Sequence, residues 1–472
     1  MIITDIIIIL LLFISGYLSV TFLKPGKEDN FINILTALPF GAGSWSLIWI
    51  FISFGLDALS ISDNRLTTIV SITAYSLISL YSAVKNFQAV WQKRYFMIFS
   101  VVLTAALVFV INLFDSSIIF GDSYSFITWT HRVKDLAGKG FPLFGLSMSN
   151  LSALIRPDYH VFAFYPLINI NLVMLIMFMT VKENGENKYL RIAFPALLIL
   201  LFSTNFSFVM HTFYVNHHAL TAVYLLVFSE YIMNSKTVRC YRESIFVLLT
   251  ASFLTFIRME GMIISISVLF FIFYRSGIKN SIRKTAMGIY ALFSLVFTGM
   301  LMSSLWHNAR FSSARYIFAW ITFAMFFFIT EIMIRKRAGL IKFVRPLFYT
   351  GVILVFLILF ITNYGHMSQS SSNYLSNVMN TEYWGISNIV LLLISSGVVF
   401  YRLKKSLFFK VYDPLAYSFI YFILLIIIIS VLRSPYQLRW ADSGNRMFYH
   451  FIPLLVVWAG RSLIDLTSAR NK

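Results

Sequence analysis

Long apolar runs recur from one end of the 472-residue chain to the other, and short polar connections separate them. Such runs match the roughly 20 residues that a helix needs to cross the ~30 Å hydrocarbon core of a bilayer. Because backbone groups find no water there, each run is expected to be helical. The pattern predicts an all-α polytopic membrane protein with about 15 spans, several of them short. We place these spans near 2–23, 31–55, 66–84, 95–114, 161–181, 192–209, 219–233, 244–257, 262–274, 286–303, 316–334, 346–362, 386–401, 415–432 and 447–464.

Lysine and arginine gather in alternate connections, and this asymmetry orients the predicted helices. Most of the 38 basic residues fall in one set of connections and in the C-terminal tail. Cytoplasmic connections carry an excess of Lys and Arg, so this set is expected to lie inside the cell. The N-terminus then faces outward, and the C-terminus is cytoplasmic. Under this topology the eight histidines fall on or near the outer side.

One apolar stretch, from Ser244 to Tyr274, contains Arg258 and Glu260. A single helix here would place its two basic flanks on opposite sides of the membrane, against the charge rule. A hairpin of two short helices avoids this conflict and puts Arg258 to Gly261 at its outer tip. Charged groups within apolar sequence are costly, so two roles are considered. In the first, the two side chains form an ion pair that stabilises the hairpin. In the second, Arg258 binds a phosphate and Glu260 orients the arginine.

Composition agrees with a membrane protein and indicates which kinds of molecule the protein contacts. The chain is 59% hydrophobic and 12% charged, with a mean hydropathy of +0.79, which leaves no segment for a separate soluble domain. The net charge of +19 reflects basic connections facing anionic lipid more simply than nucleic acid. Membrane lipids, and no nucleic acid, are therefore the expected partners. Cys240 is the single cysteine, which excludes an intramolecular disulfide, and no Cys/His spacing indicates zinc.

The longest outer connection runs from residue 115 to about 160 and contains the strongest candidate for acid–base chemistry. Gly121-Asp122-Ser123 precedes a segment, Tyr124 to Ala137, whose apolar residues share one helical face. This pattern predicts an interfacial helix that lies on the membrane. Asp122 occupies the capping position of that helix. It is either an ordinary N-cap or a general base where a membrane-bound substrate meets water.

Two further outer segments contain candidate binding residues. His217 and His218 lie between two predicted spans and point about 100° apart on a helix, which makes them a poor metal pair by themselves. They are either the polar end of a loop or donors to sugar hydroxyls or a diphosphate. Arg446 begins the last predicted span, from which it reaches into the cavity or to lipid head groups. Tyr165 belongs to an aromatic segment that suits the bilayer interface.

The order of these motifs resembles that of the GT-C-type glycosyltransferases, which are polytopic enzymes that use polyprenyl-phosphate-linked sugars outside the cytoplasm. The resemblance covers the chain from about residue 115 to the C-terminus. It is carried by Gly121-Asp122-Ser123, Tyr159-His160 through Tyr165-Pro166, the turn Tyr214–His218, Arg258-Met259-Glu260-Gly261, and Asn445-Arg446 with Pro453.

The resemblance implies a GT-C-like transmembrane catalytic domain at 115–472 with an outer loop at 115–160, preceded by a four-span extension at 1–114. It implies an inverting transfer of a sugar from a polyprenyl-phosphate carrier to a cell-envelope glycan or lipid acceptor, at the outer face of the cytoplasmic membrane. Asp122 would deprotonate the acceptor hydroxyl, and Arg258 or Arg446 would stabilise the departing lipid phosphate. The other substrate-binding residues would be Glu260, His217, His218 and Tyr165.

The chain departs from the family pattern in two respects. Many relatives place the catalytic acid after their first span, whereas four predicted spans precede Asp122 here. Some relatives have an acidic pair in the first loop and another acid at the second polar turn, where this chain has Asp122-Ser123 and Asn216-His217. No cofactor is therefore implied; a divalent metal is compatible with the pattern but not indicated by it.

Two other classes compete with this interpretation. An O-antigen-type polymerase or ligase is also polytopic and depends mainly on arginines and histidines in outer loops, which Arg433, Arg439 and His307 could supply. A lipid-linked glycan flippase or other transporter would show pseudo-symmetric halves and polar residues through the full depth of the membrane. The charges gather at one face and no internal repeat is visible, which favours an enzyme over a transporter.

Overall fold

The structure is a computed structural model that describes residues 2–24, 30–61, 63–114, 143–156, 160–181, 196–197, 199–213, 217–233, 240–257, 265, 341–404, 423–424, 427–428, 436–439 and 443–470. Within these ranges the chain is helical, and no strand occurs. Numbered in chain order, the principal helices are α1 (Ile2–Leu23), α2 (Asn30–Ala58), α3 (Asn64–Lys85), α4 (Phe87–Gln92), α5 (Arg94–Leu113), α6 (Leu143–Ala153), α7 (Phe164–Val181), α8 (Phe206–Phe213), α9 (His218–Met233), α10 (Tyr241–Ile257), α11 (Ile341–Thr362), α12 (Tyr364–Met379), α13 (Thr381–Lys404) and α14 (Ser443–Arg470).

The described part is helical, as predicted, and six of its helices are long and apolar enough to cross a membrane. They are α1, α2, α3, α5, α7 and α13. A further pair, within α11 and α12, is bent by 118° at a short break and is either a broken span or a re-entrant hairpin. The predicted total of 15 spans and their orientation stay predictions.

Glycines allow α1 and α2 to pack with their main chains close together. A Cβ atom at Gly16 would collide with the carbonyl oxygen of Ala37, and one at Gly41 would collide with that of Leu12. Since apolar burial does not drive helix association within lipid, such close approach gains its energy from van der Waals contact. The first two helices therefore form a tight pair that supports the rest of the bundle.

The helices before residue 114 share a core with those after it. The Phe40 ring of α2 stacks on Phe246 of α10 at 5.1 Å and meets Phe253 edge-on at 5.2 Å. The hydroxyl of Tyr224, in α9, donates to the carbonyl of Pro39 at 2.6 Å. Helix α2 is thus packed into the interior, whereas the domain boundary at residue 114 stays a prediction.

The first arm, 244–257, of the hairpin predicted over 244–274 is a helix, as expected. This helix, α10, is buried along nearly its whole length, with Val247, Ala251 and Ile257 fully enclosed. It contacts α1, α2, α6 and α9. The predicted outer tip at Arg258 to Gly261 lies outside the described residues.

The end of the predicted outer loop 115–160 differs from the expectation of a surface connection, because it contains a buried helix, α6. Residues 143–152 are all buried. The indole N–H of Trp45 donates to the carbonyl of Ser147 at 3.1 Å, and the Ser147 hydroxyl donates to the hydroxyl of Ser46 at 2.8 Å. These bonds from α2 satisfy polar groups that would otherwise be costly to bury. The predicted interfacial helix, Tyr124 to Ala137, lies outside the described residues.

The serine-rich segment Ser368–Asn373, which lies between the predicted spans 346–362 and 386–401, belongs to helix α12. Polar side chains of α12 have partners in residues 436–439, which are not helical. The Ser370 hydroxyl accepts the backbone N–H of Tyr436 at 3.1 Å, and the Asn377 amide donates to the carbonyl of Gln437 at 2.8 Å. Low hydropathy here reflects a hydrogen-bonding face of a helix and not the absence of helix.

Candidate functional site

Four of the sequence-predicted site residues lie close together near the starts of three helices. These four are Tyr165, His217, His218 and Arg446. They share a polar cluster with residues from α6, α7, α8, α9 and α14. The other predicted residues lie outside the described part of the chain, and they are Asp122, Arg258 and Glu260.

A chain of three hydrogen-bonding side chains forms the first half of the cluster. The Nδ1 atom of His160 lies 3.1 Å from the Ser149 hydroxyl of α6, and its Nε2 atom lies 2.8 Å from the Tyr165 hydroxyl of α7. The imidazole also stacks on the Tyr165 ring at 5.7 Å. His160 is only 2% exposed, and burial lowers its pKa from 6.5 to about 4. Its ring is therefore neutral at physiological pH. One ring nitrogen donates a hydrogen bond and the other accepts one, so the imidazole links the hydroxyls of Ser149 and Tyr165.

His217 extends this half of the cluster toward α9. Its ring stacks on Tyr165 at 6.2 Å and meets Phe144 of α6 edge-on at 5.0 Å. Its carbonyl accepts both the backbone N–H and the hydroxyl of Thr221, each at 3.0 Å, so His217 precedes the first turn of α9 as its cap. The polar turn before α9 thus places the imidazole of His217 against the ring of Tyr165.

His218 points away from His217, as the 100° spacing predicts, and meets a histidine of α14. The Nδ1 atom of His218 lies 2.7 Å from the Nε2 atom of His450, and both rings are 1% exposed. One ring must donate and the other accept, so the hydrogen bond requires that at least one of the two is neutral. This pair connects the start of α9 to the first turns of α14.

His211, in the last turn of α8, completes the second half of the cluster. Its Nδ1 atom donates to the carbonyl of Ser207 at 2.6 Å, which fixes the tautomer of the neutral ring. The ring stacks on Tyr449 at 4.8 Å and on Trp384 at 6.4 Å, and meets His218 edge-on at 5.5 Å. Burial lowers the pKa of His211 to about 4, with a further contribution from the positive charge of Arg446.

Asn169 of α7 joins the two halves. Its amide donates to the carbonyl of Tyr165 at 3.2 Å, one turn back in the same helix, and to the carbonyl of His211 at 3.3 Å. Its side-chain oxygen accepts the hydroxyl of Tyr449. A buried amide with all these partners fixes the register of α7 against α8 and α14.

The electrostatic environment of the cluster favours an anion. Arg446 lies half-buried in the first turn of α14, close enough to His211 to lower its pKa. Tyr165 lies in the first turn of α7, and His218 is the first residue of α9. Helix N-termini present unpaired N–H groups and the positive end of the helix dipole. The guanidinium of Arg446 lies at the N-terminus of α14 itself, and this combination is suited to a phosphate or another oxyanion.

Several members of the cluster were not predicted from the sequence, although the spacing of two of them could have indicated their position. Asn169 follows Tyr165 by four residues, and His450 follows Arg446 by four, so each pair lies on one helical face. That spacing in an apolar helix indicates a shared polar face. Tyr449 carries no such signal because aromatic residues are common throughout this chain.

The cluster is not arranged as a metal centre within the described residues, where no group of three or more His, Cys, Asp or Glu side chains is placed to hold an ion. His217 and His218 turn to different partners, Tyr165 and His450. The histidines instead serve as hydrogen-bonding groups toward hydroxyls and one another.

Comparison of the chain with known protein families, with curated proteins and with solved structures finds no match.

Proposed function

We propose that this chain is an inverting glycosyltransferase of the GT-C type that takes a sugar from a polyprenyl-phosphate carrier. The observation that carries the proposal is the meeting of three motif-bearing segments in one buried cluster. His160 and Tyr165 come from the first segment, His217 and His218 from the second, and Arg446 from the third. These segments lie far apart in sequence but share one set of contacts, as parts of one site would; the bond between Asn169 and Tyr449, for example, joins residues 280 positions apart.

In the proposed reaction, an acceptor hydroxyl attacks the anomeric carbon of the donor sugar, and the bond from that carbon to the phosphate oxygen breaks. Asp122 takes the hydroxyl proton as the general base. Arg446, with Arg258 as the second candidate, stabilises the charge that develops on the leaving lipid phosphate. Neutral imidazoles and the Tyr165 hydroxyl suit sugar hydroxyls because each offers a hydrogen-bond donor and an acceptor.

The proposal includes a location, since a polyprenyl phosphate is membrane-bound. The chain would span the cytoplasmic membrane of a cell with an envelope glycan, with the cluster toward the periplasmic side. This sidedness follows from the Lys and Arg asymmetry of the connections. The starts of α1, α7, α9 and α14 lie on that side in the predicted topology, and so does the end of α8.

The proposal is tested by incubating the purified protein with candidate polyprenyl-phosphate sugars and an acceptor extract, and by measuring the released lipid phosphate. We expect release by the parent protein and loss of release in Asp122→Asn with normal membrane insertion. Asp63→Asn is the matched control, because Asp63 caps α3 on an exposed surface and lies outside the cluster. Near-normal transfer by Asp122→Asn would refute the assignment of the base. No turnover with any donor would favour a transporter.

A second candidate function is polymerisation or ligation of lipid-linked glycans. It is favoured by one observation: the described residues that converge are histidines and an arginine, and this class depends on such residues. The same assay separates the two functions. Essential His218 and Arg446 with a dispensable Asp122 would support the second candidate, whereas an essential Asp122 supports the first.

A further inference from the structure

Asp5 is a buried acid in the first helix that the proposed reaction does not use. It is fully buried in the first turn of α1, within an otherwise apolar run. An enclosed carboxyl group is expensive unless hydrogen bonds compensate for the lost water. Its position therefore demands specific partners, and the structure supplies them from two other helices.

One carboxylate oxygen of Asp5 accepts two hydrogen bonds. The side-chain amide of Asn112, near the end of α5, donates to Oδ2 at 3.2 Å, and the backbone N–H of Ala163 donates to the same atom at 3.3 Å. Asn112 is held in place because its amide also bonds the carbonyl of Val108 at 3.0 Å. The oxygen is thus fixed between α5 and the residue that precedes α7.

Ala163 is the cap residue of α7, and its N–H is one of the donors that a helix N-terminus leaves unpaired. Its own carbonyl accepts the N–H of Leu167 at 3.3 Å, which begins the helical bonding. A carboxylate at this point also meets the positive end of the helix dipole. Asp5 therefore caps α7 from a different helix, 158 residues away in sequence.

The capped turn is the one that forms the first half of the candidate site. Ala163 lies between His160 and Tyr165, whose Nε2 atom and hydroxyl are 2.8 Å apart. The turn is closed by the N–H of Phe162, which donates to the carbonyl of His160 at 3.0 Å. Movement of this backbone would separate the two side chains, because both project from a stretch of six residues.

We propose that Asp5 is a positioning residue that fixes the turn at 160–164 and so holds His160 against Tyr165. The first helix is then a part of the candidate site, and not only an accessory to it. The proposal concerns the geometry of the cluster and stands whichever reaction the cluster serves.

Hydrogen–deuterium exchange of the full-length protein in lipid nanodiscs, read by mass spectrometry, tests the proposal. Asp5→Leu removes the acceptor, and we expect exchange in a peptide covering 160–168 to rise more than tenfold. Asp5→Asn keeps an acceptor but loses the charge at the start of α7, so exchange is expected to rise about two- to fivefold. Ser15→Ala is the control, since it removes a different buried hydrogen bond of α1, to Tyr75, and leaves 160–168 unchanged.

The place at which exchange rises distinguishes positioning from a general loss of stability. A global effect would raise exchange equally in 160–168 and in α10, whereas positioning raises it in 160–168 alone. Exchange in Asp5→Asn that equals the parent value would overturn the proposal, even where Asp5→Leu does not fold. The outcome is independent of turnover, because absence of glycosyl transfer with every donor would remove the proposed function and leave the exchange result intact.

Discussion

Acid should destabilise this protein through two buried histidines, His160 and His211. Each ring is 2% exposed, and each has a pKa that burial lowers from 6.5 to about 4. In the unfolded chain the same rings titrate near 6.5. The unfolded state therefore binds more protons between pH 6.5 and pH 4. Stability falls as the pH is lowered through 6.5, and the loss is complete below the folded-state pKa.

The size of the effect follows from the two pKa values. A difference of one unit corresponds to about 1.4 kcal/mol, so a shift of this size is worth about 3 kcal/mol per ring over the whole window. Between pH 7 and pH 5 the free energy of unfolding should fall by about 2 kcal/mol for each histidine. The two rings together account for about 4 kcal/mol, a large part of the stability of an ordinary domain.

Reversible unfolding by SDS in mixed micelles, followed by tryptophan fluorescence at pH 7, 6 and 5, measures this loss. His160→Gln and His211→Gln should each remove about half of the 4 kcal/mol dependence, because glutamine keeps polar groups and does not titrate in this range. His366→Gln is the control, as His366 is exposed on α12. A parent protein equally stable at pH 7 and pH 5 would refute the reasoning, and so would two variants that retain the full pH dependence.

Three further predictions concern packing, pairing and backbone strain. Gly16→Ala forces a methyl group into the main chain of α2, so we expect loss of monodisperse protein in size-exclusion chromatography, whereas Gly55→Ala, which meets nothing within 4 Å, keeps it. Glutamine at His218 and at His450 should show a coupling of about 1 kcal/mol in a double-mutant cycle of SDS unfolding, and strict additivity would contradict the pairing. Gly385→Ala places a side chain at a φ of +71° and should cost about 1–3 kcal/mol by the same titration, while an unchanged midpoint would contradict the strain.

The helical spans were predictable because run length is a direct consequence of bilayer thickness. The predicted 2–23 and 95–114 agree with α1 and α5 to within one residue at each end. Hydropathy is less informative where a helix bonds other parts of the protein through polar side chains. Helix α12 is such a case: Ser370 and Asn377 bond residues 436–439, so its low hydropathy left it outside the predicted spans. Helix α6 was missed because it is short and belongs to a loop in sequence.

The site was predictable only where polar groups stand out from apolar sequence near a span end. Tyr165, His217, His218 and Arg446 meet that condition, and the structure brings them together. Asp5 met it as well, yet one acid near the start of a first helix has no visible partner in sequence. Its partners come from α5 and from the turn before α7, and no local pattern encodes a contact over 158 residues.

The charge state of the cluster limits the chemistry that it can perform. His160 and His211 are neutral at physiological pH, and the bond between His218 and His450 requires at least one neutral ring. Imidazoles in this state orient hydroxyls but do not neutralise a phosphate. Within the described residues of the cluster, the permanent positive charge comes from Arg446, reinforced by the N-terminus of α14. A bound oxyanion would therefore lie at the start of α14, with the hydroxyl-bearing part of a ligand toward the histidines.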